Sequence, residues 1–314
     1  MNSGTRQVVL AAYAVAAVGA LWTVATTRWG GQPERLATLT VEGGPFETAT
    51  ALALATLGVW AILRRRRWWV VAGILFVLAA LEELSWGQHL LGFQTPGWLQ
   101  GRNYQGEANL HNLIDSEVFS AALLTPIHAT LVILPLLVVM FPAWRRQSVL
   151  AHVPAAVWPS PHTSLILCFG WGLHAWGVPA AAADSTALVV ALVVAGIAIA
   201  KSDAWRRPEV IAHWLLVCVA TVVFAAAAGI YRYYNMQYEI RELFVVLGVA
   251  HWLTGWAPPR PVPTCSHPSC NRPQHHRRSA HGSQGPRSGL RHGFRRRIGR
   301  QDPARHGAVR VRPG

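Results

Sequence analysis

Charged residues are scarce in this chain of 314 residues, where they make up 13% of the sequence. A soluble globular domain carries about 25% charged residues, and here 52% of the residues are hydrophobic. This balance excludes an ordinary soluble fold for most of the chain. Together with 15 tryptophans and a mean hydropathy of +0.27, it indicates that lipid is the solvent for much of the protein.

Motifs of soluble chemistry are also missing. The sequence contains no Walker loop, no dinucleotide-binding glycine pattern, no Gly-x-Ser-x-Gly and no His-Glu-x-x-His. It therefore gives no support to soluble nucleotide chemistry. The four cysteines form no disulfide framework, and Cys168 and Cys218 fall inside apolar runs.

The formal net charge of +14 is concentrated at one end of the chain. Residues 258–314 hold 13 arginines and a single acid, Asp302, which leaves +2 for residues 1–257. The bulk charge therefore does not indicate nucleic-acid binding. The segment 258–314 is also rich in His, Pro, Gly and Ser, which predicts a disordered tail. A shifted reading frame would explain the same composition.

Apolar stretches of about 20 residues, the length that crosses a bilayer, recur along residues 1–257. Eight are found: Val8–Thr27, Phe46–Leu63, Trp68–Leu91, Val118–Phe141, Ser164–Ala180, Ser185–Ala200, Val210–Ile230 and Ile240–Trp256. The sequence thus predicts an all-α integral membrane bundle of about eight transmembrane helices, placed in the cell membrane.

Clusters of basic residues predict which loops of this bundle lie in the cytoplasm. Arg64 to Arg67, the pair Arg145 and Arg146, the group from Lys201 to Arg207, and the tail all follow even-numbered spans. Short cytoplasmic loops are enriched in Lys and Arg, so both termini are expected to be cytoplasmic.

Most acids then fall at the other, outer face. Acidic residues have little influence on how a membrane protein is oriented, so the excess of acids on the outer side needs a separate explanation. The outer acids number 11 of 14: Glu34, Glu42, Glu47, Glu82, Glu83, Glu107, Asp115, Glu117, Asp184, Glu239 and Glu242.

The densest polar cluster is the run Glu82-Glu83-Leu84-Ser85-Trp86-Gly87-Gln88-His89 at the outer end of the third span. In a continuous helix, Glu82, Ser85 and His89 share one face, and Glu83 points about 100° away. Two adjacent carboxylates at this depth are costly unless they are paired, protonated or metal-bound.

A second polar run, residues 103–112, follows in the next outer loop. Glu107 and His111 are four residues apart, a spacing that lets a carboxylate and an imidazole ligate one metal ion if the segment is helical. Glu239 and Glu242 share a helix face in the same way at the start of the last span.

These motifs resemble those of a group of bacterial multi-pass membrane proteins of uncharacterised activity. The shared pattern is an acid pair around glycines (42–47), Glu-Glu-x-Ser-Trp-Gly-Gln (82–88), Asn-x-Gln-Gly-Glu-x-Asn-Leu-His-Asn (103–112) and Glu-x-x-Glu (239–242). The resemblance covers about residues 40–256 and implies no particular reaction.

We therefore expect a metal or proton-handling site at the outer face, in a membrane enzyme acting on a lipid or lipid-linked substrate. Glu82 and Glu83 are the predicted catalytic residues, and His89, Glu107 and His111 the predicted ligands of a divalent metal such as Zn, Mn or Fe. The predicted supporting residues are Ser85, Asn109, Asn112, His128, Glu239 and Glu242. Membrane lipids are the expected partners, and nucleic acid is not.

Three alternatives stay open. The acids could pair with Arg102, Arg232 and Arg241 and only lock helix ends together. They could be proton or cation sites of a transporter, although no internal repeat is visible. The chain could also be a scaffold without chemistry.

Overall fold

The computed structural model describes most of the region predicted to span the membrane. The described residues are 3–31, 44–101, 108–109, 113, 116–147, 149–154, 157–175, 182–231 and 236–256. Within them all regular structure is helical, without a strand. The segment 258–314 lies outside the described residues, so its disorder stays a prediction.

Helices lie at the positions of the apolar stretches, and the fourth stretch is divided between α6 and α7. They are α1 (Ser3–Trp29), α2 (Pro45–Ile62), α3 (Arg67–Glu83), α6 (Ser116–His128), α7 (Leu134–Met140), α9 (Pro161–His174), α10 (Ala182–Lys201), α11 (Pro208–Tyr231) and α12 (Met236–Trp256). Short helices connect some of them: α4 (Gln88–Leu91), α5 (Gly97–Gln100) and α8 (Pro142–Gln147).

Five helical stretches among the described residues are long and apolar enough to cross a membrane. They are Gly4–Trp29, Pro45–Ile62, Ala122–Met140, Ala183–Lys201 and Pro208–Ala228. Their outward faces carry large exposed apolar side chains, such as Val15, Trp22, Leu52, Val193 and Val222. Apolar surface of this extent requires lipid around it. The chain is therefore a multi-pass helical membrane protein.

Two predicted spans end earlier than expected. The third was expected to continue to Leu91, but α3 ends at Glu83 because the backbone turns at Leu84. The fifth was expected to reach Ala180, but α9 ends at His174 and is 14 residues long. At 1.5 Å per residue α9 is about 21 Å long, shorter than a hydrocarbon core of about 30 Å.

Helix α9 lies at the centre of the bundle, where it contacts α10, α11 and α12. Ser160 caps its first turn by accepting a hydrogen bond from the Thr163 amide, and Pro161 fits the first helical position. From Leu165 to Leu173 its residues are apolar and buried on all sides, as expected of a helix surrounded by protein. Phe169 packs against Phe224 of α11 and Phe244 of α12.

The fourth span is interrupted by a π-helical turn, Ala129–Ile133, between α6 and α7. Pro135 has no amide hydrogen, so the carbonyl of Leu131 loses its helical donor. The hydroxyl of Ser164 in α9 donates to that carbonyl at 2.7 Å. A neighbouring helix therefore satisfies the group that the proline leaves open, as lipid could not.

Two glycines bring α2 and α3 into close contact. A Cβ atom at Gly58 would lie 2.8 Å from the carbonyl oxygen of Gly73, and one at Gly73 would lie 2.6 Å from that of Gly58. Small residues let helix backbones approach in this way inside a membrane. The contact lies near the end of α2 and the start of α3, close to the connection between the two helices.

Replacing Gly73 with valine is expected to destabilise the protein by about 1–3 kcal/mol or more, because the new side chain meets backbone atoms that cannot move away. Thermal unfolding in detergent, followed by size-exclusion chromatography, should show a midpoint several degrees lower. Gly19→Val in α1 is the matched control, since a Cβ there meets nothing within 4 Å. Equal midpoints for the two variants would contradict the helix contact.

Candidate functional site

Carboxylates from three helices meet at one end of the bundle. Glu47 lies in the first turn of α2, Glu83 is the last residue of α3, and Glu239 and Glu242 lie in the first two turns of α12. Helix α2 packs against both α3 and α12, which brings these ends together. Carboxylate oxygens of Glu83, Glu239 and Glu242 all lie within 4.8 Å of one another.

Burial and mutual repulsion both act on this carboxylate cluster, by which we mean Glu83, Glu239 and Glu242. Glu47 is buried, and its charge acts on both Glu83 and Glu242. At 4.8 Å two unit charges repel by about 3 kcal/mol when the effective dielectric constant is about 20. The buried guanidinium of Arg241 opposes the charge of Glu242. A cation among these carboxylates would relieve the repulsion.

A left-handed turn directly follows Glu83. Ser85, Trp86 and Gly87 have φ angles of 46°, 56° and 83°, a region that L-residues other than glycine seldom adopt. The indole Nε1 of Trp86 donates to Oε1 of Glu82 at 2.6 Å, which ties the turn to the helix end. Strain of this kind persists only where surrounding contacts hold it, and it often marks functional sites.

This turn overturns one expectation. Because α3 stops at Glu83, Glu82, Ser85 and His89 do not lie on one continuous helical face. Glu82 binds Trp86, while Glu83 joins the carboxylates of α12. His89 lies beyond the turn in α4.

The two polar motifs of the sequence do meet. Oε1 of Gln88 accepts a hydrogen bond from the Ala108 amide at 2.6 Å, and Nδ2 of Asn109 donates to the hydroxyl of Ser85 at 3.2 Å. Ser85 and Asn109 are both buried, so the contact lies inside the protein. Glu107, His111 and Asn112, which belong to the same motif, lie outside the described residues.

Helix α12 contributes to the carboxylate cluster more directly than expected. Glu239 and Glu242 were predicted as supporting residues, yet they are the neighbours of Glu83. In the sequence, two features could have indicated this role: the spacing of three residues between the two acids and their predicted position on the outer side. His128, also predicted to support the site, has Nδ1 at 2.8 Å from the Leu124 carbonyl oxygen, and its ring packs on Trp171.

The cluster offers oxygen ligands. Carboxylates suit hard cations such as Mg²⁺, Ca²⁺ and Mn²⁺, whereas Zn²⁺ more often takes imidazole or thiolate as well. Of the metals expected from the sequence, Mn²⁺ fits the described ligands best. Comparison with protein-family models, curated proteins and solved structures found no match to this chain. The resemblance noted from the motifs thus stays a prediction.

Neutralising one member of the cluster is expected to stabilise the protein when cations are removed. In excess chelator, Glu83→Gln should raise the unfolding midpoint, by an amount equivalent to about 1 kcal/mol or more, because the charges that act on Glu83 are those of other glutamates. Asp184→Asn at the start of α10, an acid outside the cluster, should give no such increase. A lower midpoint for Glu83→Gln in chelator would mean that repulsion at Glu83 does not destabilise the protein.

Proposed function

We propose that the chain crosses the cell membrane eight times, with both termini in the cytoplasm. Helices lie at all eight predicted positions, and the basic clusters alternate as cytoplasmic loops require. The short α9 fits this arrangement because protein surrounds it. Helix α12 has 21 residues, about 31 Å, and is long enough to cross although Glu239, Arg241 and Glu242 lower its hydropathy.

Topology reporters test this arrangement. Alkaline phosphatase, which is active only outside the cytoplasm, should be active when fused after Thr95 and inactive when fused after Arg65. A fluorescent-protein fusion, which matures in the cytoplasm, should give the opposite pattern at the same two positions. The reverse result at both positions would place the carboxylate cluster on the cytoplasmic face.

We propose further that the carboxylate cluster binds a divalent cation and that the protein is a metal-dependent enzyme of the outer face. The convergence of Glu83, Glu239 and Glu242 from distant parts of the sequence carries this proposal. Three charges that repel one another are stable together when a dication lies between them. Ser85 in the strained turn after Glu83, and Gln88 directly beyond it, contact Asn109 and Ala108 of the second polar motif.

A lipid or lipid-linked substrate fits the surroundings of the cluster. Helix α3 exposes Leu75, Leu78 and Leu81 on the turns that lead to Glu83, and Trp86 is exposed just beyond them. An acyl chain in the outer leaflet could lie along these side chains with its headgroup at the carboxylates. Trp side chains favour this depth of the membrane.

The proposed reaction is hydrolysis of an ester or phosphoester in that headgroup. A bound divalent cation would lower the pKa of its water and polarise the substrate oxygen. A carboxylate of the cluster that does not ligate the cation would take one proton from the water. The water oxygen would bond to the carbonyl carbon or phosphorus, the bond to the leaving alcohol would break, and that alcohol would take the proton.

Transport is the second candidate, because grouped carboxylates also suit passing cations. Phe244 lies two residues, or about 3 Å, beyond Glu242 along α12 and packs against Phe169 and Tyr13. These rings fill the bundle interior beyond the carboxylates, so a passage would require them to separate. The packing favours an enzyme over a transporter.

Binding of Mn²⁺ to the detergent-purified full chain tests the cation site. Electron paramagnetic resonance should detect loss of the free Mn²⁺ signal with the wild type, and Glu239→Gln should weaken binding at least tenfold. Asp184→Asn should bind as the wild type does. If Glu239→Gln binds equally well, the cluster does not ligate the cation.

Activity requires a separate assay. The protein should release new lipid products from vesicles of its own host's lipids, detected by mass spectrometry, in the presence of Mn²⁺ but not of excess chelator. Glu83→Gln should abolish this release. Uptake of Mn²⁺ into proteoliposomes without any lipid product would support transport instead.

A further inference from the structure

The end of the bundle away from the carboxylate cluster carries four consecutive arginines that the proposed function does not use. They occupy the connection between α2 and α3 and the first position of α3, from Arg64 to Arg67. Arg64 is half-buried and the other three are exposed. Along α3, Arg67 is 16 residues from Glu83, or about 24 Å. The arginines therefore form a separate surface, on the cytoplasmic side in the proposed topology.

These arginines have no acid nearby in the sequence to pair with. The parts of α1, α2, α3 and α12 at this end contain no Asp or Glu, in residues 3–9, 48–81 and 243–256. Within the part of the chain that the structure describes, Asp203 and Glu209 pair with other arginines, one each. Four like charges in a row repel one another, so this surface attracts anions from outside the chain.

Four tryptophans lie beside the arginines and connect three helices. The rings of Trp60 in α2 and Trp69 in α3 meet edge to face with centroids 5.2 Å apart, and Trp69 lies 5.8 Å from Trp256 of α12. Trp256 in turn stacks on Trp252 at 6.2 Å. Tryptophan favours the boundary between the hydrocarbon and the lipid headgroups. The arginines beside these rings therefore lie at the depth of the headgroups.

The side chain of Arg64 is held in place by one of these rings. Its Cζ atom lies 4.5 Å from the centroid of the Trp60 ring, which is a cation–π contact. A stacked guanidinium still presents N–H donors at its edge, in a planar fork that matches two phosphate oxygens. The connection has only four residues, Leu63 to Arg66, so the guanidinium groups are confined to a small area.

An exposed apolar face begins at the same place. Trp68, Val71 and Leu75 are exposed at intervals of three and four residues, so they share one face of α3. Val59 and Leu63 are exposed in the same way at the end of α2. From Trp68 to Leu75 the face of α3 is about 10 Å long. A lipid whose headgroup lies at the arginines would have its acyl chains against these side chains.

We propose that Arg64 to Arg67, with Trp60 and Trp69, form a binding site for an anionic phospholipid of the cytoplasmic leaflet. The headgroup phosphate binds the guanidinium groups, and an acyl chain lies along the exposed face of α3. Basic groups at the cytoplasmic ends of transmembrane helices recognise anionic lipids in this way. The choice of leaflet rests on the proposed topology, whereas the site itself depends neither on the carboxylate cluster nor on its reaction.

Native mass spectrometry of the detergent-purified full chain tests the proposal. The probes are dioleoylphosphatidylglycerol, which is anionic, and dioleoylphosphatidylcholine, which has the same acyl chains but no net charge. The wild type should bind phosphatidylglycerol at least tenfold more tightly. Arg64→Gln combined with Arg67→Gln should remove most of this preference, because each basic residue near an anionic surface contributes roughly a factor of five.

The matched control removes the same charge from another part of the chain. Arg277→Gln with Arg278→Gln takes two arginines from the basic segment 258–314. This double variant should bind phosphatidylglycerol as the wild type does. An equal loss in the two double variants would overturn the proposal, because binding would then follow net charge and not this site.

Arg64→Lys separates a defined site from a diffuse attraction. The lysine keeps the charge, but it neither stacks as a plane on Trp60 nor binds two phosphate oxygens at once. Its affinity for phosphatidylglycerol should be about two- to fivefold lower, which is the value of an exposed cation–π contact. Affinity equal to that of the wild type would contradict a defined site.

Two further measurements keep the result interpretable. Unfolding midpoints without lipid should be equal for all variants; if Arg64→Gln with Arg67→Gln unfolds, Arg65→Gln with Arg66→Gln replaces it, since both side chains are exposed. Glycerol phosphate, a headgroup without acyl chains, should not displace phosphatidylglycerol at equal concentration. Displacement would assign the surface to soluble phosphates and overturn the lipid site.

Discussion

Negative charges that share a pocket near a bilayer must be compensated, because neither lipid nor protein screens them as water does. The packing of α2 against α3 and α12 brings Glu83, Glu239 and Glu242 close together. The buried core around α9 includes Leu243 and Phe244 of α12, directly after Glu242. The proposed cation would compensate the negative charges at this site.

The bundle separates two kinds of polar side chain. Carboxylate oxygens gather at one end, imidazole nitrogens gather at the other, and Phe169, Phe224 and Phe244 pack between them. The carboxylate cluster and the histidines are therefore separated along α12 by about two turns and a half, the spacing between Glu242 and His251.

Hydrophobicity predicts the fold well because each span must hide its backbone from lipid. The start of α3 and both ends of α11 lie within two residues of the expected bounds. The break after Glu83 was not predictable, because Ser85 and Trp86 adopt left-handed angles that their residue types disfavour. The end of α9 at His174 also departs from the expected span.

The site was predictable in part. The positive-inside pattern placed Glu83, Glu239 and Glu242 on one side, but it carries no information about which helices are neighbours. Glu83 joins the cluster while Glu82 binds Trp86, and this difference depends on the turn at Trp86, which the sequence does not predict. The contact between His162 and His213 was not predicted, because each histidine stands alone in the sequence and the two helices are far apart along the chain.

Disulfide trapping in native membranes tests the meeting of α3 and α12 most directly. In a background with all four native cysteines replaced, Glu83→Cys paired with Glu242→Cys should cross-link rapidly under mild oxidation, and Glu83→Cys paired with Asp184→Cys should not. Absence of the first cross-link, with both cysteines reactive to a thiol reagent, would contradict the shared carboxylate pocket.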